Sequence, residues 1–237
     1  MLVAAAVCPC PPLLVPEVAA GAAPELDAAR AACTDALGVL AAARPDRLVV
    51  IGPAEQSGRG VHAEGARGSF RGFGLEVDVR LGRDTGVAAE HTLPTSLAVA
   101  AWLLARTAWS DAPIEGLGVG EPLAAERCIE VGRDIAARDE RVALLVMGDA
   151  SACRTLKAPG YLDERAAPFD AEVARALGAA DVAALQALDT DLAYELKASG
   201  RAPWQVLAGA AEGAGLGGEL LYEDAPYGVG YVVAAWS

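Results

Sequence analysis

Leu2-Val3-Ala4-Ala5-Ala6-Val7-Cys8-Pro9-Cys10-Pro11-Pro12-Leu13 decides how the rest of the chain is read. The apolar run at 2–7 has the length of a buried strand, and the prolines behind it end it. Each proline lacks an N–H and fixes its own φ, so the segment leaves the sheet as a stiff loop. A strand running into such a loop is how an open α/β sheet holds side chains above the carboxyl ends of its strands, where ligands bind. Cys8 and Cys10 are the candidates that this segment supplies.

Outward from it, Pro24 to Ala43 reads as an amphipathic helix, with Leu26, Ala29, Cys33, Leu37 and Leu40 on one stripe. Leu48-Val49-Val50-Ile51, bounded by Gly52-Pro53, suits a central parallel strand, and strand–helix–strand in this space implies a crossover unit. Residues 54–73 are glycine-rich and charged without a period, which predicts a long surface loop with His62 facing solvent. Leu75, Val77, Val79 and Leu81 alternate with polar residues and predict a half-buried strand. Helices are expected at 94–109 and 121–138, with strands at 114–119 and 142–147.

The last third reads as mostly helical, at 168–178, 181–188, 190–199 and 203–212, with Asp181 and Thr190 as N-caps. Two strands, 219–223 and 230–235, close the chain. The whole, 1–237, is therefore expected to be one α/β domain: a mixed, mostly parallel central sheet with helices on both faces.

Composition narrows the function. The 237 residues are 54% hydrophobic, enough to bury a large core. Net charge is −13 and no basic cluster appears, which argues against a nucleic-acid partner, whose backbone is bound through Lys and Arg. No run approaches the roughly 18 apolar residues of a membrane span. The start of the chain lacks the basic region of a signal peptide. Five cysteines without a CxxC fit free thiols in a reducing cytoplasm of bacterial type.

With only His62 and His91, a multi-histidine metal cluster cannot be built. There is no P-loop, GxSxG elbow or GxGxxG in a strand-to-helix context. What remains are residues after strands: Cys8 and Cys10, then Ala54 and Glu55, then Asp149, Ser151 and Cys153. Each also has a plain reading. Free cysteine is commonly a small buried hydrophobe, Glu55 suits a solvated loop, and Asp149 suits loop amides. These positions define a pocket without defining a reaction.

The order of segments resembles the class III extradiol ring-cleavage dioxygenases (catalytic, B-type subunit), along essentially the whole chain. Cys8-Pro9-Cys10-Pro11-Pro12 is similar to the loop that carries the family's first iron-ligating histidine, at the position of Cys10. Gly52-Pro53-Ala54 is similar to the strand end carrying the second, at Ala54. Glu90-His91-Thr92-Leu93-Pro94 resembles a segment whose histidine faces substrate, and Met147-Gly148-Asp149-Ala150-Ser151-Ala152 resembles one ending in the acid/base histidine, at Ala152. Phe169-Asp170 matches a downstream Phe-Asp. Memo-type proteins share this implied fold.

The departures carry the functional expectation. A ferrous site of two histidines and a carboxylate would lose both nitrogen donors at Cys10 and Ala54, and Ala152 would remove the proton carrier. The third, carboxylate ligand maps only to the region of Glu219, Glu223 and Asp224. No cofactor is expected. The sequence suggests a relative without ordinary ring cleavage that keeps a small-molecule pocket, for an aromatic or other ligand, lined by Cys8, Cys10, Glu55, His91, Asp149 and Ser151. Two alternatives stay open: an active metal-dependent oxidoreductase using substituted ligands on a catechol-like or aminophenol-like aromatic, and a homo-oligomer or non-catalytic subunit beside an active partner.

Overall fold

The computed structural model describes residues 1–86 and 92–237. Four parallel strands form its middle: β1 (Leu2–Cys8), β2 (Arg47–Pro53), β6 (Ile114–Val119) and β7 (Val142–Met147). Around them lie the short β3 (Gly60–His62) and the C-terminal β8 (Gly218–Asp224) and β9 (Tyr231–Trp236). The order across this sheet is β3-β6-β2-β7-β1-β9-β8, with β3, β9 and β8 antiparallel to their neighbours. A separate two-stranded ribbon pairs β4 (Arg67–Ser69) with β5 (Asp78–Arg80).

The helices are α1 (Pro16–Ala19), α2 (Asp27–Ala42), α3 (Thr95–Arg106), α4 (Ala125–Ala136), α5 (Ala166–Gly178), α6 (Val182–Gln186), α7 (Thr190–Glu195) and α8 (Arg201–Ala210). Successive strand residues point to opposite faces, and both faces are covered. Ala4, Ala6, Leu48, Val50, Leu145 and Val233 meet α2 and α3 on one side. Ala5, Val7, Val49, Ile51, Leu144 and Val232 meet α4, α5 and α8 on the other. This is why the central strands read as continuous apolar runs. One α/β domain with helices on both faces is what the apolar pattern led one to expect.

Topology opens a crevice at one place. Strands β1 and β2 lead into α2 and α3 on one face, whereas β7, which lies between them, leads into α5–α8 on the other. Connections that diverge to opposite faces leave the carboxyl ends of neighbouring strands uncovered. The ends of β1, β7 and β2 are therefore the floor of any pocket.

Four local expectations are corrected. Residues 54–73 are not one surface loop: they contain β3, which hydrogen-bonds to β6, and β4. His62 is buried rather than solvent-facing, because its Nε2 lies 2.8 Å from the Gly58 carbonyl oxygen within that edge. The alternating 75–81 segment shrinks to the three-residue β5, since it pairs with β4 alone and has no second neighbour to extend its ladder. Among caps, Asp181 holds α6 by accepting from the Ala184 N–H, but α7 is capped by Asp189 rather than Thr190. No helix of the described residues is long and apolar enough to cross a membrane.

Candidate functional site

Three distant segments meet on the crevice floor. The Cys10 N–H donates to Asp149 Oδ1 at 2.8 Å, and the Asp149 N–H donates to Ser199 Oγ at 3.1 Å. The Gly148 N–H reaches the Cys8 carbonyl at 3.0 Å, and the Gly200 N–H reaches the Asp149 carbonyl at 2.9 Å. The loops after β1 and β7 and the segment before α8 are thus locked by backbone bonds. Gly148 makes this approach feasible, since a Cβ there would overlap the Gly200 backbone.

Burial sets the electrostatics of this floor. It lifts the Asp149 carboxyl from its ordinary range to about 7, against the modest opposing pull of the Cys10 amide. The Cys10 thiol is pushed well above its ordinary value, first by burial and then by the Asp149 charge, with the Ser199 hydroxyl opposing. A thiol raised in this way is not a thiolate nucleophile at neutral pH. The Tyr231 phenol, buried beside Asp149 and Cys10, is also raised, mainly by burial.

Above the floor is a cleft of about 400 Å³ lined by Cys10, Pro53, Glu55, Ser57, Gly58 and residues 92–96. Its far wall is the start of α3, where Pro94 occupies the N-cap position and no side chain caps the first amides. Ser96 ties that wall to the end of β2, donating from Oγ to the Pro53 carbonyl at 2.6 Å. A second cavity of about 380 Å³, lined by Glu121, Tyr194, Glu195, Lys197 and Ser199 among others, lies across the Cys10–Ser199 contact.

A third cavity of about 600 Å³ adjoins the second through Glu121 and Tyr194. The buried Arg201 lines it and holds the loop before α4, donating from Nη1 to the Leu123 carbonyl at 2.6 Å and from Nη2 to the Glu121 carbonyl.

The structure divides the expected pocket residues. Cys10 and Glu55 line the cleft, and Asp149, partly accessible, lies directly behind Cys10. Two assignments are corrected. Cys8 belongs to the core, not the pocket: it is still within β1, and its thiol is fully buried against Cys33 of α2. Ser151 is also fully buried, because its N–H and hydroxyl both donate to Asp170 of α5, at 2.8 and 2.9 Å. Arg154 completes that cluster at 3.0 Å. His91 lies outside the described residues.

Ser199, Ser57 and Ser96 are site residues that the sequence did not mark. Serine is too common in loops and helix starts to stand out without its spatial neighbours.

The donor chemistry at the implied iron position does not fit a ferrous centre of two imidazoles and a carboxylate. Cys10 offers a thiol held protonated, Ala54 a methyl group, and the Asp149 carboxyl is engaged by the Cys10 amide. Among the described residues no three His, Cys, Asp or Glu side chains gather where they could hold a metal ion.

Fold and crevice together define a single-domain α/β protein with a ligand-sized cleft at the topological switch point of its sheet. The chain is similar in fold to the crystal structure of the uncharacterized protein JW3007 from Escherichia coli K12, with a TM-score of 0.52, 15% identity, and 99% of each chain covered. At that identity the likeness shows the fold alone. No family model and no curated protein sequence matches the chain.

Proposed function

We propose that this chain is a divergent relative of the class III extradiol dioxygenases that binds a small molecule in the strand-end crevice and lacks ordinary ferrous ring cleavage. The observation that carries the reading is the closed floor of the crevice. Where the resemblance implies an iron-ligating histidine, Cys10 is instead bonded through its amide to Asp149 and faces the Ser199 hydroxyl, below a cleft of about 400 Å³. Such a volume is within the range of small-molecule sites. The residues lining the cleft can bind and orient a ligand through the Glu55 carboxyl, the Ser57 and Thr95 hydroxyls and the bare amides of α3, beside the apolar surfaces of Pro53, Leu93 and Pro94. All five cysteines are free and buried, which suits a reducing compartment such as the cytoplasm.

Titration of the purified protein with ferrous ion under anaerobic conditions tests the reading, together with oxygen uptake in the presence of catechols and aminophenols. The expected result is no stoichiometric iron and no oxygen consumption, with ferrous binding appearing in the double variant Cys10→His/Ala54→His. Wild-type protein that holds one ferrous ion per chain and consumes oxygen with a catechol would overturn it.

A further inference from the structure

We infer that the loop of residues 153–163 and the end of α7 form the face on which two copies of this chain pair about a two-fold axis. In that pair the loop of each copy seats against the cavity that Tyr194, Lys197 and Ser199 help to line in the other.

Eight large apolar side chains stand exposed among the described residues, and four of them gather here. Leu156, Tyr161 and Leu162 are on the loop and Tyr194 is on α7, each between 46% and 68% exposed. Apolar side chains scattered singly over a surface need no explanation, whereas a cluster marks an interaction site. Three contacts hold the loop against the end of α7. The Ala152 N–H donates to the Leu196 carbonyl at 2.8 Å, and Arg165 Nη1 donates to Glu195 Oε2 at 2.7 Å. Gly160 lies so near Lys197 that a Cβ on it would sit 3.0 Å from the lysine Cδ.

The loop is shaped before any partner arrives. The Gly160 N–H closes it on the Ala152 carbonyl at 2.8 Å, and the Asp163 N–H closes it on the Cys153 carbonyl at 3.0 Å. That closure holds Tyr161 at φ 64°, a region costly for a large side chain, and leaves its ring in solvent. A preformed loop loses little conformational freedom on docking.

Charge and shape name the occupant. Two chains of net charge −13 repel each other over most of their surfaces. Residues 153–165 and 193–199 escape this, with four cations (Arg154, Lys157, Arg165, Lys197) against three carboxylates (Asp163, Glu164, Glu195). Arg154 is used within its own copy by Asp170, and Arg165 by Asp163 and Glu195. Lys157, Lys197 and Glu164 are exposed and in no ion pair among the described residues, so both signs are left to pair across the axis. A projecting loop beside a cavity of about 380 Å³ is also what a two-fold contact requires, since each copy must offer both halves. An anionic membrane, which also takes up leucine and tyrosine, would face the full −13.

Sedimentation velocity of the full chain across about 1–100 μM tests the inference. Wild type is expected to reach a two-chain mass at the top of that range, with amide hydrogen exchange slowed at 156–162 and 194–199. Leu156→Ser/Leu162→Ser should weaken the pair on the order of tenfold or more while its far-UV circular dichroism stays that of wild type. Phe73→Ser, which removes an exposed ring between β4 and β5, should leave the pair as tight as before.

A chain that stays monomeric throughout would overturn the inference, whether or not the patch then takes up another protein or a lipid surface. So would a pair that the double variant leaves unchanged, or one that Phe73→Ser weakens as much.

Discussion

Replacing Asp149 with asparagine should change how stability depends on pH, and the size of the change follows from the site. Burial raises this carboxyl from 3.8 to about 7 in the folded chain. In the unfolded chain it returns to its ordinary value. Between pH 4 and 7 the folded protein therefore holds a proton that the unfolded one has released, so this residue's contribution to stability falls as pH rises through that window and is level above it. Three pH units at about 1.4 kcal/mol each give about 4 kcal/mol as an upper bound. Partial solvent access reduces this to about 2–4 kcal/mol.

Asparagine keeps the oxygen that accepts from the Cys10 N–H and cannot ionise. Asp149→Asn should thus match wild type at pH 4.5 within about 1 kcal/mol and exceed it at pH 8 by about 2–4 kcal/mol. Urea unfolding of both proteins at the two pH values measures this directly. Asp170, also raised by burial, titrates in both proteins and cancels in the difference. A difference between the proteins that is the same at pH 4.5 and pH 8 would refute the assignment of Asp149 as a desolvated carboxyl.

Asp170→Ala should destabilise by about 2–4 kcal/mol in chemical denaturation, because it strands both fully buried Ser151 donors, while the part-exposed Arg154 guanidinium can turn to water. Gly148→Ala forces a methyl group into the Gly200 backbone and should cost about 1–3 kcal/mol, with NMR shifts confined to the Cys10, Asp149 and Ser199 loops. Asp189→Ala should cost about 1 kcal/mol by removing the acceptor for the Asp191 and Leu192 amides, whereas Thr190→Ala should be nearly neutral; equal losses in thermal melts would contradict the cap assignment.

Local pattern carried most of the architecture. The runs at 2–7, 48–51 and 142–147 are apolar on consecutive residues because both faces of a parallel strand are covered, and the structure places all three side by side. The same locality gave Asp181 its cap, since the acceptor and the Ala184 amide are three residues apart. It misled at Thr190, where Asp189 next to it competes for the same amides with a stronger acceptor. It misled again at 54–73, where the ordering force is a bond between β3 and β6 more than fifty residues apart.

Of the candidate site, the sequence by itself determined that Cys10, Glu55 and Asp149 follow strands, and so lie at the end of the sheet where a crevice can form. Only the tertiary structure decided which strand-end residues reach that crevice. Cys8 faces α2 and Cys10 the cleft, while Ser151 is claimed by Asp170 and Arg154. Ser199, fifty residues from Asp149, closes the floor. The physical reason is that a strand is recognised from the period of its own side chains, whereas a pocket is made of hydrogen bonds and burial shared between segments that the chain order keeps far apart.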